Sequence, residues 1–117
     1  MFLQLNHQKL DVFIIAKFFT LECYKFTKQL PPEEKFNMIQ QVRRASLSVY
    51  FNIAEGCSRK SLVERKRFFE ISRGSIIEID AVLDLCENLN YNKKEDLQLL
   101  GEYMQRTFSM LSRMIDS

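Results

Sequence analysis

The chain has few places to turn. Its 117 residues include 3 glycines and 2 prolines, and the prolines are adjacent, at Pro31 and Pro32. Tight reversals depend on residues that accept positive φ or that fix it, so a chain this poor in them folds as a few long elements. The apolar residues say which kind. Val12, Ala16, Phe19, Cys23, Phe26 and Leu30 recur at spacings of three and four, the repeat of one face of an α-helix. No segment shows the competing alternation of a half-buried strand.

The breaks divide the chain into helices expected over residues 9–29, 32–56, 61–90 and 93–116. Pro31 and Pro32 end the first. Pro32 followed by Glu33 and Glu34 suits the first turn of the second, where a missing N–H is harmless and acids face the positive end of the helix dipole. Met38, Val42, Ala45, Val49 and Ile53 make its inward stripe, and Gly56 is placed to end it in a left-handed conformation. Ser61 and Glu64 form an S-x-x-E capping box that starts the third helix. Its central stripe reads Phe68, Ile71, Ser75, Glu78, Val82 and Leu85, flanked by Phe69, Ser72, Ile76, Ile79, Leu83 and Cys86. A face that wide is largely buried. Beyond Tyr91, Asn92 with Glu95 repeats the cap-and-acid pattern ahead of Leu97, Leu100, Met104, Phe108, Leu111 and Ile115. Long helices with short links pack most economically as an all-α, up-and-down antiparallel four-helix bundle. With no shift in composition along it, the chain reads as a single domain over residues 1–117.

Polar residues interrupt the stripes. Gln41, Arg44, Ser48, Asn52 and Glu55 lie within about 80° of one another around the second helix, beside its apolar stripe, while Leu47, Tyr50, Phe51 and Ala54 occupy the far side. Part of this polar row is therefore expected inside. Ser75 and Glu78 stand between Ile71 and Val82 on the third helix. A buried carboxylate without donors is costly, so Glu78 is expected to meet Arg44 or Asn52. The reading is a structural polar network of Arg44, Ser48, Asn52, Glu55, Ser75 and Glu78. The alternative gives Glu55 and Glu78 to acid–base chemistry or a carboxylate metal site. Ferritin-like bundles build such sites with Glu-x-x-His repeats, and this chain has none.

A glycine inside a helix costs about 1 kcal/mol relative to Ala, and Gly74 shares its face with Ala81. Small residues on one face admit a close neighbour, from the same chain or from a second subunit. A second apolar row on the first helix, Leu10, Ile14, Phe18 and Leu21, points well away from the first row, and one core cannot cover both. Leu47, Tyr50, Phe51, Gly74 and Ala81 are the candidate subunit interface.

Basic residues gather at Arg43 and Arg44, and again at Arg59, Lys60, Arg65, Lys66 and Arg67. The second group flanks a turn, where cations and the free amides of a helix N-terminus could hold phosphate. Arg43, Arg59, Lys60, Lys66 and Arg67 are the candidate nucleic-acid contacts. The plainer alternative is a solvated face, with Lys66, Glu70 and Arg73 spaced for intrahelical ion pairs. A formal net charge of +2 is too small to identify such a partner.

There is little material for catalysis. His7 is the only histidine, and Cys23, Cys57 and Cys86 are odd in number and widely separated, which suits neither a disulfide framework nor paired metal ligands. No catalytic residue, cofactor or metal is expected. No apolar run approaches the roughly 20 residues that span a bilayer, and the N-terminus has no secretory pattern. The expectation is a cytoplasmic protein with reduced thiols and no membrane association.

Several stretches resemble a known family. "NIAEG" at Asn52 to Gly56, preceded by "QVRRASLSV" from Gln41 and followed by "RGSIIEID" from Arg73, is similar to the bacterial four helix bundle family, also called 23S rRNA intervening-sequence proteins. The likeness covers nearly the whole chain, including "LDVF…A…YKFTKQLP" from Leu10 to Pro31. It implies an up-and-down bundle that assembles as a homo-oligomer, typically a pentameric ring, with no established enzyme activity. Many such proteins are encoded in insertions within large-subunit rRNA genes. A relative in fold is the accessory protein of diversity-generating retroelements, which binds reverse transcriptase and nucleic acid. Two positions depart from the family pattern. Tyr50 and Phe51 stand where Pro or a small residue is common, which enlarges the expected subunit contact. Arg65 stands where an aromatic or aliphatic residue is common, so its charge must snorkel outward or pair.

The expectation is a non-enzymatic homo-oligomer, a pentamer, serving as scaffold or accessory for RNA or a nucleic-acid enzyme. The alternative is a protein-binding platform without direct nucleic-acid contact.

Overall fold

A computed structural model describes residues 1–117 and is helical throughout, with no strand. Helix α1 spans Asp11–Thr27, α2 Met38–Ser58, α3 Leu62–Asn88 and α4 Gln98–Asp116, with short 3-10 turns at Asn6–Lys9, Pro32–Glu34 and Lys94–Leu97. Each helix packs chiefly against two others, in the cycle α1, α2, α3, α4 and back to α1. Cross-helix pairs give the directions. Thr20 pairs with Ser46 and Thr27 with Arg43, Gln41 with Glu78 and Ser48 with Ser75, and Arg73 with Ser112 while Lys66 reaches Ser117. In each set one number rises as the other falls, so successive helices are antiparallel.

The core follows the apolar stripes where one row of each helix is clearly favoured. Val12, Ala16, Phe19, Cys23 and Phe26 of α1, with Leu30 just beyond it, are all buried. They face Val42, Ala45, Val49 and Ile53 of α2, also buried. Full burial of a large apolar side chain such as Phe19 or Ile53 is worth about 1.5–3 kcal/mol. On α4 the seam runs through Leu100, Met104, Thr107 and Leu111. Thr107, its hydroxyl donating to Tyr103 O at 2.7 Å, holds the place expected for Phe108, which is partly exposed.

On α3 the expected stripe is displaced by one residue, about 100°. The buried row is Phe69, Ser72, Ile76, Ile79 and Cys86, while Ile71 and Leu85 are exposed. Both rows carry enough apolar residues to be inward. The one observed leaves the Glu78 carboxylate in water, and it places small Ser72 where its hydroxyl donates to Val49 O at 2.8 Å.

Three helix boundaries also differ from expectation. Gly56 does not end α2; the helix runs on to Ser58, and no glycine has positive φ. Gly56 is required by contact instead, since an added Cβ would lie 2.6 Å from Phe69 Cε1 and 3.1 Å from Phe68 Cβ. Pro32, Glu33 and Glu34 form the 3-10 turn rather than the first turn of α2, which begins at Met38. Glu34 is drawn across the bundle end, where its carboxylate accepts from Tyr91 Oη at 2.8 Å. Asn92 caps nothing: it lies ahead of the 3-10 turn at Lys94–Leu97, and its buried Oδ1 has no hydrogen-bond partner. The left-handed residue is Asn90, with φ 63°. It closes α3 with two bonds, Tyr91 N–H to Cys86 O at 2.9 Å and Asn90 N–H to Glu87 O at 3.0 Å, the Schellman pattern. Of the Ser61 and Glu64 capping box, the half in which Ser61 Oγ accepts from Glu64 N–H is present, at 3.3 Å.

Candidate functional site

The polar row of α2 meets α3 along one edge of the bundle. Ser75 Oγ and Ser48 Oγ lie 2.9 Å apart, and Asn52 Nδ2 donates to Ser48 O at 2.8 Å and to Ser48 Oγ at 3.1 Å. Farther along, Gln41 Nε2 donates to Glu78 Oε1 at 2.6 Å. These contacts sit beside the dry seam, half-buried or exposed. Glu78 is thus not the buried carboxylate expected, and neither Arg44 nor Asn52 is its partner. Gln41 reaches it because α2 and α3 run antiparallel. Arg44 is exposed and makes no hydrogen bond, and Glu55 turns along its own helix to pair with Arg59 at 3.0 Å. Ser48, Asn52 and Ser75 are therefore brought together, while Arg44 and Glu55 stand apart from them. Such rungs set the register of two helices, because a slip would strand their donors and acceptors.

The α2–α3 turn carries most of the candidate nucleic-acid contacts. Arg59 is the most engaged of them. Its Nη2 holds Glu55 Oε2, and its guanidinium lies 5.0 Å from the Phe68 ring centroid. Lys66 Nζ donates to the Ser117 carbonyl. Lys60 and Arg67 are exposed. The spaced trio Lys66, Glu70 and Arg73 forms no ion pair; the ion pairs present are Lys25 with Glu22 and Arg59 with Glu55. Arg73 instead crosses to α4, where Nη1 donates to Ser112 Oγ at 3.1 Å and the guanidinium lies 5.9 Å from the Phe108 ring centroid. Arg43 lies far from this turn, 16 residues back along α2, or about 24 Å at the helical rise. Its Nε donates to Thr27 Oγ1 at 2.9 Å, and its guanidinium lies 4.9 Å from the Tyr24 ring centroid.

The candidate subunit residues fall on two faces. Leu47, Tyr50 and Phe51 of α2 line a shallow apolar groove with Lys17, Thr20 and Leu21 of α1. Tyr50 is tied to the fold, stacked on Phe13 with ring centroids 4.5 Å apart, whereas Phe51 is 56% exposed. Ile14, Phe18 and Leu21 are exposed on the outer face of α1, as is Leu10 at its N-cap, and Phe18 stacks on Tyr103 of α4 at 5.7 Å. An apolar surface thus crosses α1 from α4 to α2. Gly74 and Ala81 are exposed on α3, with nothing within 4 Å of where a Gly74 Cβ would stand. No helix of this chain uses the space that Gly74 leaves.

The groups that could do chemistry are scattered. His7 packs edge-on against Phe13 at 4.9 Å, and no three His, Cys, Asp or Glu side chains gather as a metal would require. Burial pushes the Cys23, Cys57 and Cys86 thiols up; at Cys57 the Arg65 guanidinium alongside pulls the other way without overcoming it. All three are therefore protonated at neutral pH and weak as nucleophiles. Arg65 stands half-buried beside that neutral thiol and is in neither of the two ion pairs, so the thiol does not supply the counter-charge expected for it. No helix is long and apolar enough to cross a membrane.

Sequence reasoning passed over two groups. Gln41 belongs to the polar row by its spacing, but its pairing with Glu78 follows only from the α2–α3 register. Lys35 and Phe36 precede α2 and border a groove with Arg43 and Arg44. Their signal was a cation and an aromatic next to each other just after the prolines.

No curated protein matches the chain. A family model does, over residues 8–113, a stretch that takes in α1, α2, α3 and nearly all of α4 together with the whole polar edge between α2 and α3. On that match the chain belongs to the 23S rRNA-intervening sequence protein family.

Proposed function

We propose that this protein is a non-catalytic scaffold that assembles with copies of itself, as a homopentamer in the bacterial cytoplasm, and serves as an accessory to RNA or to a nucleic-acid enzyme. The observation that carries the reading is the exposed apolar row of α1, Leu10, Ile14, Phe18 and Leu21, continuous with Phe51. A second copy covering that surface would remove from water what this chain cannot bury alone. The outer face of α3 adds a second contact of opposite character. There Gly74 and Ala81 leave a shallow place beside exposed Ile77, and a bulky neighbour could lie close. Two unlike faces on one subunit suit a head-to-tail contact, which forms a ring when the rotation between neighbours closes.

The nucleic-acid part rests on the family's connection with rRNA and on exposed cations near both ends of α2, Lys35 and Arg44 at one and Lys60 and Arg67 at the other. The scattered histidine and cysteines and the separate Glu55 and Glu78 support a role without catalysis. Light scattering at micromolar concentration tests the assembly, with a pentamer expected and a monomer overturning it. Nuclease-sensitive RNA retained through purification is the expected sign of the second part. A co-purifying protein with no RNA would replace it by a platform that binds protein alone.

A further inference from the structure

Two basic regions compete for the role of nucleic-acid contact, and the structure separates them. At the α2–α3 turn Arg59 is held by Glu55, and Lys66 is taken up by Ser117; Lys60 and Arg67 remain exposed there, but the ring beside the turn, Phe68, is covered by the Arg59 guanidinium. The groove at the start of α2 is different. Lys35, Arg43 and Arg44 line it, no acidic side chain does, and none of the three cations is in an ion pair. Arg43 donates Nε to Thr27 and lies over the Tyr24 ring, but it is in no ion pair, so its charge faces no carboxylate. Glu34, the acid nearest in sequence to Lys35, is drawn away by Tyr91 at 2.8 Å. Ile39 and Leu47 make the apolar floor. At the edge stands Phe36, 75% exposed, with Lys35 Nζ 5.5 Å from its ring centroid.

An uncovered aromatic ring beside three uncompensated cations is what single-stranded nucleic acid uses. A base stacks on the ring while the neighbouring phosphates meet the cations. We infer that the groove bounded by Lys35, Phe36, Arg43 and Arg44 is a binding surface for single-stranded RNA, and that it, not the α2–α3 turn, is the principal contact. The inference rests on the reading of the protein as nucleic-acid-associated. A duplex fits less well, since its bases are stacked on one another and cannot reach Phe36. The same geometry gives Phe36 a role. Its exposure loosens no core contact, and it stands at the mouth of a charged groove.

Fluorescence anisotropy with a labelled oligouridine 20-mer tests the proposal on the intact protein. Phe36→Ala should weaken binding about tenfold, the lower range for losing one base stack. The pair Lys35→Ala with Arg44→Ala should weaken it and make the salt dependence shallower by about 1.4 in log–log slope, at roughly 0.7 per phosphate contact on a single strand. Both Arg44 and Phe36 are exposed, so an unchanged thermal melt is expected for each. Arg59→Ala with Lys60→Ala should leave affinity within about twofold. Loss of binding in that variant, with the groove variants unaffected, would overturn the groove while leaving nucleic-acid association intact. A wild-type protein that binds no oligouridine would overturn both. Polyglutamate competing as well as RNA of equal charge, with Phe36→Ala without effect, would show a plain anion surface and also overturn the inference.

Discussion

Gly56 shows how one residue can be needed for a reason that its neighbours in sequence do not reveal. It lies inside α2 with ordinary helical φ, and the Phe69 ring and the Phe68 Cβ on α3 occupy the place of its missing side chain. An alanine there gains about 1 kcal/mol of helix propensity, but it must displace a buried ring and the Phe68 Cβ, at an overpacking cost of about 1–3 kcal/mol. Gly56→Ala is therefore expected to lower the urea midpoint. Gly101→Ala, on α4 with nothing within 4 Å, should raise the midpoint, reflecting a stability gain of up to about 1 kcal/mol. Equal shifts in the two variants would refute the contact argument. Ser72 works in the same region through its hydroxyl, bonded to Val49 O while fully buried. Ser72→Ala should cost about 1 kcal/mol, read as a shifted midpoint at unchanged slope.

At the scale of elements, α1 and α2 were legible and α3 less so. On α1 and α2 a single row of apolar residues is clearly the larger, and that row is buried. On α3 two adjacent rows are nearly equal in apolar content, so periodicity alone does not choose between them. The choice depends on α2, which offers a gap at Gly56 for Phe69 and a carbonyl at Val49 for Ser72. The break after α3 was legible near Tyr91, but not the residue that makes it, because the signal is one asparagine among several polar residues. Asn90 has φ 63°, a region that glycine enters freely and alanine does not. Asn90→Ala should destabilise the protein by about 1 kcal/mol, and Asn90→Gly should not. Thermal melts of the two variants side by side give the comparison.

For the molecule as a whole, one contact joins the two loops at the same end of the bundle. Tyr91 donates to Glu34, and this bond, more than desolvation, pushes the phenol's pKa up. A raised folded value means that the folded state holds the proton more tightly than the unfolded chain does. The stabilisation is therefore full below the ordinary tyrosine value of about 10 and is lost as pH rises through the higher folded value. Urea midpoints across this alkaline range should fall more steeply in the wild type than in Tyr91→Phe, which lacks the bond at every pH. On the outer surface, Leu21 is 52% exposed on the apolar face of α1. Leu21→Glu should keep the helix content measured by circular dichroism, yet weaken self-association about tenfold or more, since an unpaired carboxylate would be buried in the contact. An unchanged oligomer in light scattering would rule this face out as the interface.

The sequence by itself determined that the chain is helical, that it has breaks near Pro31, Ser61 and Tyr91, and which faces of α1 and α2 turn inward. Those are local matters of hydrophobic period and turn chemistry, decided within a few residues. Only the tertiary structure decided which row of α3 is buried, that Gly56 receives a ring rather than ending a helix, and that Glu78 meets Gln41 in water. It also separated Arg43 and Arg44, which line a groove with Phe36 and are in no ion pair, from Arg59, already held by Glu55. Each of these depends on what a different helix presents at the point of contact, and a single helix's own periodicity carries no record of that.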